Sequence, residues 1–181
     1  MRLNKTSKMV YMALLVSLAL ILSIIERMIP VPFVTPGAKL GLANLVIMIS
    51  VYTLDSYKDS FTILILRIIL STLLGSSVSM LLYSAAGGIL SFIVIVLVKE
   101  LGGKHVSIIG VSAAGAVFHN VGQLFVASLI LQNFNVFLYM PLLSLAGIVT
   151  GIFVGLSANY IISHLTKLPH FRKEISPNAN N

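Results

Sequence analysis

The sequence predicts an all-α integral membrane protein, a six-transmembrane-helix bundle with both termini in the cytoplasm. Of its 181 residues, 57% are hydrophobic and 9% are charged, whereas soluble domains carry about 25% charged residues. Six apolar stretches separated by short polar turns account for the whole length as a single membrane domain, 1–181. The basic residues supply a third observation, because they gather on one side of a six-span topology.

Each of the six predicted spans has recognisable ends. The first follows a short basic segment, exceeds a signal-peptide core in length and is expected to be retained; it ends at Glu26, before three prolines that exclude a helix. The second is short and is expected to be tilted or partly re-entrant. The third contains Arg67, the fourth lies between a Gly-Ser turn and a charged loop, and an uncharged polar turn separates the fifth from the sixth. The predicted spans are 9–25, 40–54, 60–74, 78–98, 106–131 and 137–165, followed by a polar tail over 166–181.

The distribution of charge predicts the orientation of the chain. Nine of the 12 Lys and Arg residues fall on the side of the termini, two fall on the opposite side, and Arg67 lies within a span. This asymmetry predicts cytoplasmic termini, and the expected location is a bacterial plasma membrane. It also accounts for the net charge of +7 without a nucleic-acid partner. The absence of cysteine excludes disulfides and thiolate chemistry.

Arg67 is the most costly residue of the chain to place in a bilayer, at about 2.5–3.5 kcal/mol on insertion scales. It is therefore expected to face the interior of the bundle. Its partner is left open by the sequence. Glu26, the one acidic residue assigned to the outer side, is one candidate, and backbone carbonyls or amide side chains are another. Without such a partner, Arg67 is available to an anionic ligand.

Polar side chains gather at a similar predicted depth in the outer half of the bundle. In the fifth span, three of them share one helix face with Ala116, which leaves that face open. Each group alone is explained by an interhelical hydrogen bond, or by a lysine that reaches the interface. Together they predict a ligand cavity that opens to the outside. The predicted substrate-binding residues are Lys39, Asn44, Arg67, Ser79, Tyr83, His119, Asn120 and Gln123.

Small residues recur at four-residue spacing in the first and sixth spans, which lets helix backbones approach closely. In the sixth span they indicate packing within the bundle, with a homodimer contact as the alternative. In the first span they could equally face a partner protein. The residues are Gly147, Gly151 and Gly155 in the sixth span, and the pairs Ala13 with Ser17 and Ala19 with Ser23 in the first.

Several chemistries lack their motifs. No GxxxxGK[ST], HExxH or pair of acids within a span occurs, and His119 has no second metal ligand at useful spacing. The sequence therefore predicts no enzyme, no cofactor and no metal site. Coupling to protons is not expected either, because no acidic residue is predicted deep within a span.

Four stretches in order resemble the Gx transporter family, also labelled heptaprenyl diphosphate synthase component I. They are PGAKLGLANL at 36–45, the Arg67 span leading to LLGSS at 73–77, SAAGGILS at 84–91 and GVSAAGAVFHNVGQL at 110–124. That family is similar to the S components of energy-coupling factor (ECF) transporters, six-helix proteins that capture a vitamin or related small molecule from outside. S components then associate with a membrane coupling subunit and two ATPases. Their docking motif is AxxxA on the first helix, which implies this role for Ala13 and Ser17, with Ser in place of the second Ala.

The resemblance implies two functions. The first is a substrate-binding and transport protein that captures a small anionic or amphipathic solute, similar to a vitamin or a quinone precursor, from the outer side. The alternative is a non-catalytic accessory subunit of a heptaprenyl diphosphate synthase or quinone-biosynthesis system. Prenyl diphosphate synthases bind Mg²⁺-diphosphate with aspartate-rich DDxxD motifs, and this chain offers only Asp55 and Asp59. A catalytic role in that system is therefore not expected.

Overall fold

The chain is helical throughout the part that the structure describes. The computed structural model describes residues 4–28, 41–75, 77–165 and 167. Within these ranges there are six α-helices and two short 3-10 helices but no strand, which confirms the all-α prediction. The α-helices are α1 (Lys5–Met28), α2 (Asn44–Thr53), α3 (Tyr57–Leu73), α4 (Val78–Gly102), α5 (Ile108–Leu131) and α6 (Met140–Leu165), and the 3-10 helices are Gly103–His105 and Phe134–Tyr139.

Four of these helices, α1, α4, α5 and α6, are long and apolar enough to cross a membrane, so the chain is a multi-pass membrane protein. The other two are shorter, with 10 residues in α2 and 17 in α3. The predicted order of six helices is thus confirmed, while six complete spans stay a prediction. Lys39, the three prolines and the tail beyond residue 167 lie outside the described residues.

Several helices begin or end at other residues than the sequence predicts. Helices α3, α4 and α5 each begin after a serine whose hydroxyl accepts an N–H from the first turn, an N-cap that fixes the start. Helix α1 continues past its predicted end to Met28, so Glu26 lies within the helix. Helix α2 begins at Asn44 rather than at 40, and α4 continues to Gly102 rather than ending at 98.

Helix α2 is enclosed by the other helices. Seven of its ten residues, on all sides of the helix, are buried. This explains why the apolar residues of α2 show no helical periodicity, since a helix that is hydrophobic on all sides is a buried helix. Its short length is compatible with the membrane because protein, not lipid, surrounds it. The buried residues are Asn44, Val46, Ile47, Met48, Ile49, Ser50 and Val51.

Glycines bring α4, α5 and α6 into backbone contact. A Cβ added to Gly122 of α5 would lie 2.6 Å from the carbonyl oxygen of Ala86 in α4. A Cβ added to Gly151 of α6 would lie 2.6 Å from the Cα of Ala113 in α5, and Gly155 is equally close to α5. The glycine stripe of the sixth span therefore packs within the bundle, as predicted, and α5 covers the face that a homodimer would need.

The two small-residue pairs of α1 point in opposite directions. Ala19 is fully buried and Ser23 is 4% exposed, so this pair faces the bundle. Ala13 and Ser17 are exposed. The Ser17 hydroxyl donates to the Ala13 carbonyl oxygen at 2.9 Å, which leaves a small and largely apolar surface on the outside of α1.

Candidate functional site

A small polar cavity lies between α1, α3, α4 and α5. Its volume is about 10 Å³, which is about the space that a single buried water needs. Three ionisable side chains from three different helices meet there, together with three serine hydroxyls. The lining residues are Ser23, Glu26, Arg67, Ile68, Ser71, Ser84 and His119.

Arg67 faces the interior, as the sequence predicts. It belongs to the buried stripe of α3, where inward positions recur every three or four residues, and it is 6% exposed. Opposite it, α4 carries Gly88. A Cβ added to this glycine would lie 3.5 Å from Nη2 of Arg67 and 3.0 Å from the Leu64 side chain. The absence of a side chain at Gly88 thus leaves room for the guanidinium between α3 and α4.

Glu26 is buried beside Arg67, near the end of α1, as one of the two alternatives left open by the sequence allows. Its side chain is 4% exposed. Its Oε1 accepts hydrogen bonds from the backbone N–H of Gly41 and, at 3.2 Å, from that of Leu42. The carboxylate also interacts electrostatically with Arg67. The inward spacing of Ala19, Ser23 and Glu26 along α1 was a signal from which its burial could have been predicted.

His119 connects the cavity to the start of α2. It is 3% exposed, and its Nε2 lies 3.0 Å from the amide Nε2 of Gln123, one turn further along α5. A Cβ added to Gly87 of α4 would lie 3.0 Å from the imidazole Nδ1, and one added to Gly41 would lie 3.6 Å from its Cδ2. Glycine is needed at Gly87 because that Cβ would also lie 2.9 Å from the His119 carbonyl oxygen, and at Gly41 because its φ is 84°.

Asn44 belongs to the same neighbourhood. It is the first residue of α2 and is 6% exposed. Its Nδ2 would lie 3.1 Å from a Cβ added to Gly41, the glycine that His119 also approaches. Four of the predicted residues are thus brought close together: Arg67 and His119 line the cavity, Gln123 contacts His119, and Asn44 lies beside the same turn.

Other predicted site residues lie elsewhere in the bundle. Asn120 donates from Nδ2 to the Leu143 carbonyl oxygen at 2.7 Å and so joins α5 to α6. Tyr83 is 4% exposed within an apolar cluster and is not among the residues that line the cavity. Ser79 is exposed near the start of α4. Lys39 lies outside the described residues.

The polar residues of α5 do not share one open face, as the sequence analysis expected. Adjacent helix positions differ by about 100°, and α5 lies between α4 and α6. His119 therefore turns toward α4 while Asn120 turns toward α6. Ala116 does not leave an opening, because a Cβ added to Gly151 of α6 would lie 3.0 Å from the Ala116 side chain.

The cavity offers one cationic, one anionic and one imidazole side chain. Within the part of the chain that the structure describes, no three His, Asp or Glu side chains gather as a metal site would require. The arrangement can hold a water or a proton as it stands, and it can bind an anion at Arg67 if the helices separate.

Comparison with known proteins identifies a family. A sequence model of the family described as heptaprenyl diphosphate synthase component I matches residues 15–161. The match runs from the middle of α1 through most of α6 and includes every residue that lines the cavity. No curated protein and no solved structure matches the chain significantly.

Proposed function

We propose, from the premise that this chain belongs to the heptaprenyl diphosphate synthase component I family, that it is a membrane protein that binds a small solute for transport. The solute is anionic or amphipathic, similar to a vitamin or a quinone precursor, and enters from the outer side of the bilayer. In this proposal both termini lie in the cytoplasm of a bacterial cell. The chain itself catalyses no reaction and carries no cofactor.

The observation that carries the proposal is the burial of Arg67 in a polar cavity. An Arg inside a membrane protein is costly and usually marks a ligand or ion pathway. Well-packed apolar residues would stabilise the bundle at least as well as a buried ion pair does. A cavity in which Arg67 meets Glu26 and His119 from two other helices therefore favours a functional role over a structural one.

The cavity is too small for such a solute in this structure. Ligand pockets for small molecules have volumes of about 300–1,000 Å³, whereas this cavity has about 10 Å³. Capture of a solute therefore requires the helices around it to separate. Because glycine contacts hold α4, α5 and α6 together, we propose that α1 and α3 move relative to them. The cavity lies along that boundary.

The exposed pair on α1 suits contact with another membrane helix. Ala13 and Ser17 are small, and the Ser17 hydroxyl is already bonded to the Ala13 carbonyl oxygen, so close helix contact leaves no donor unsatisfied. The resemblance to S components suggests the partner: a membrane coupling subunit with its ATPases. We propose this surface as the docking site.

Native mass spectrometry tests the solute-binding proposal. The protein is extracted gently from its host membrane, and any retained small molecule is identified after denaturation. We expect a retained molecule in the wild type and its loss in Arg67→Ala. Lys58→Ala is the matched control, because it removes one positive charge from an exposed position of the same helix. Retention of the same molecule by folded Arg67→Ala would refute the assignment of the site.

The alternative is an accessory subunit of a heptaprenyl diphosphate synthase, which the family description favours. The two aspartates that such chemistry would need are remote from the cavity: Asp55 is exposed, and Asp59 pairs with Lys8 at 2.8 Å. A role in that system would therefore be non-catalytic. The same extraction distinguishes the two proposals, since an accessory subunit is expected to retain a soluble prenyl synthase and no small molecule.

A further inference from the structure

Glu26 has a position that solute capture alone does not explain. Among the described residues it is the one acidic side chain that is buried. A site built only to attract an anion would not place a carboxylate beside its arginine. The carboxylate reduces the attraction that Arg67 could exert on a negatively charged solute, so its presence there requires a reason.

The groups around Glu26 can be named element by element within the described ranges. Helix α3 contributes Arg67 and the Ser71 hydroxyl, α5 contributes His119, and α4 contributes the Ser84 hydroxyl. The turn before α2 contributes two backbone N–H groups, and α1 itself contributes Ser23. Of these groups, Arg67 is the one fixed positive charge. The Gln123 amide at Nε2 of His119 is compatible with a neutral imidazole.

Two kinds of group can stabilise the ionised form of Glu26: the Arg67 guanidinium and the two backbone N–H donors. A buried carboxylate is disfavoured by loss of water and favoured by a nearby positive charge and by N–H donors. If an anion binds the guanidinium, the carboxylate keeps its two N–H donors, but the charge of the anion offsets the positive charge of Arg67. Two anions sharing one desolvated site cannot both stay ionised without a large cost.

We propose that Glu26 is a proton-binding site that Arg67 controls, so that binding of an anionic solute at Arg67 is accompanied by uptake of one proton at Glu26. This rests on the proposed function, which supplies the anion. The proton comes from water on the side from which the solute enters and converts the carboxylate to a neutral carboxylic acid. A monovalent anion and a proton together leave the net charge of the cavity unchanged. Release of the solute returns Arg67 to Glu26 and expels the proton.

Infrared spectroscopy of the solute-free protein tests the dependence of Glu26 on Arg67. The protein is labelled with ¹³C-glutamate, and the carboxylic-acid band is recorded near neutral pH for the wild type and for Arg67→Met, which removes the positive charge. We expect no labelled acid band in the wild type and a single band in Arg67→Met. That band must disappear in the double variant Glu26→Gln/Arg67→Met. Arg67→Lys, which keeps the charge, is the matched control and is expected to lack the band.

Two results would overturn the proposal. One is a labelled acid band in the wild type at neutral pH, since Glu26 would then be protonated whatever Arg67 does. The other is folded Arg67→Met without the band. If Arg67→Met does not fold, the double variant with Glu26→Gln is expected to recover folding, because it removes the uncompensated acid. Failure of the double variant to recover would likewise refute the control of Glu26 by Arg67.

The proton site and the solute site can fail separately. The infrared measurement contains no solute, so it can support the proton site even if native mass spectrometry finds no molecule that depends on Arg67. Conversely, Arg67→Ala could lose a retained molecule while folded Arg67→Met lacks the acid band. That result would support the solute-binding proposal and refute the proton site at Glu26.

Discussion

The two ends of α2 are both held by a charged side chain from another helix, but the two contacts are built differently. At its start, Glu26 of α1 accepts from the N–H groups of Gly41 and Leu42. At its end, Lys99 of α4 donates to the Val51 carbonyl oxygen at 2.7 Å. Both charges have the sign that the helix dipole favours. The contact made by Glu26 is buried next to Arg67, whereas the contact made by Lys99 is partly exposed.

At the partly exposed end of α2, several groups besides the Val51 carbonyl oxygen interact with the charge of Lys99. The Lys99 ammonium lies 4.7 Å from the Tyr52 ring centroid and 4.9 Å from that of Tyr57. The Tyr57 hydroxyl in turn donates to Glu100. Rings, a carboxylate and water can all share the charge of Lys99. At the buried end, the loss of one charge leaves the other without compensation, which is why we place function there.

The largest expected effect is that of removing the acid at the buried end. Glu26→Ala leaves Arg67 buried without its negative partner and removes the acceptor of two N–H groups, so we expect a loss of about 3–5 kcal/mol in unfolding free energy. Chemical unfolding in detergent, followed by circular dichroism, measures it. Glu100→Ala, which removes an exposed acid, is the control and is expected to cost less than about 1 kcal/mol. Equal losses of unfolding free energy in Glu26→Ala and Glu100→Ala would contradict the conclusion that the buried acid matters more to stability than the exposed one.

A smaller effect is expected at the other end of α2. Lys99→Met keeps the length of the side chain but removes the hydrogen bond to Val51 and both cation–π contacts, so we expect a loss of about 1–2 kcal/mol. The same unfolding experiment applies. Lys58→Met, at an exposed position of α3, should change the stability by no more than about 0.5 kcal/mol. A Lys99→Met loss as large as that of Glu26→Ala would show that burial does not distinguish the ends.

The smallest effect is expected for the ion pair between the starts of α1 and α3. The side chains of Lys8 and Asp59 are 37% and 21% exposed, so Lys8→Ala should cost about 0–1 kcal/mol. Salt should remove most of this difference, because it screens exposed charges. Unfolding of both proteins at low and high ionic strength measures it. A loss of stability that persists at high salt would indicate that the ion pair between Lys8 and Asp59 is less accessible to salt than the exposure of the two side chains suggests.

The sequence predicted the helices better than it predicted the groups that meet between them. Apolar runs separated by polar turns identified six helices, and the high cost of a central arginine placed Arg67 inside. Glu26 was assigned to the end of a span because charge usually marks the interface. It does lie near the end of α1, but it is buried, since Arg67 and two backbone N–H groups compensate its charge.

The division of polar residues between neighbouring helices could not be predicted from periodicity alone. A helical projection places His119 and Asn120 on one broad face. Their separation depends on which helices flank α5, and that depends on the glycine contacts with α4 and α6. Gly87, Gly122 and Gly151 could be recognised as small residues in the sequence, but their partners are fixed only by the packing of the whole bundle.

The length of α2 has a consequence for the biosynthesis of the protein. Ten residues of α-helix extend about 15 Å, which is half of the hydrocarbon thickness of a bilayer. Such a segment is too short to partition from the translocon into lipid as an independent span. It must enter the membrane beside helices made before and after it, with Glu26 from the earlier one and Lys99 from a later one at its two ends. We therefore expect the insertion of α2 to be completed only after α4 has been synthesised.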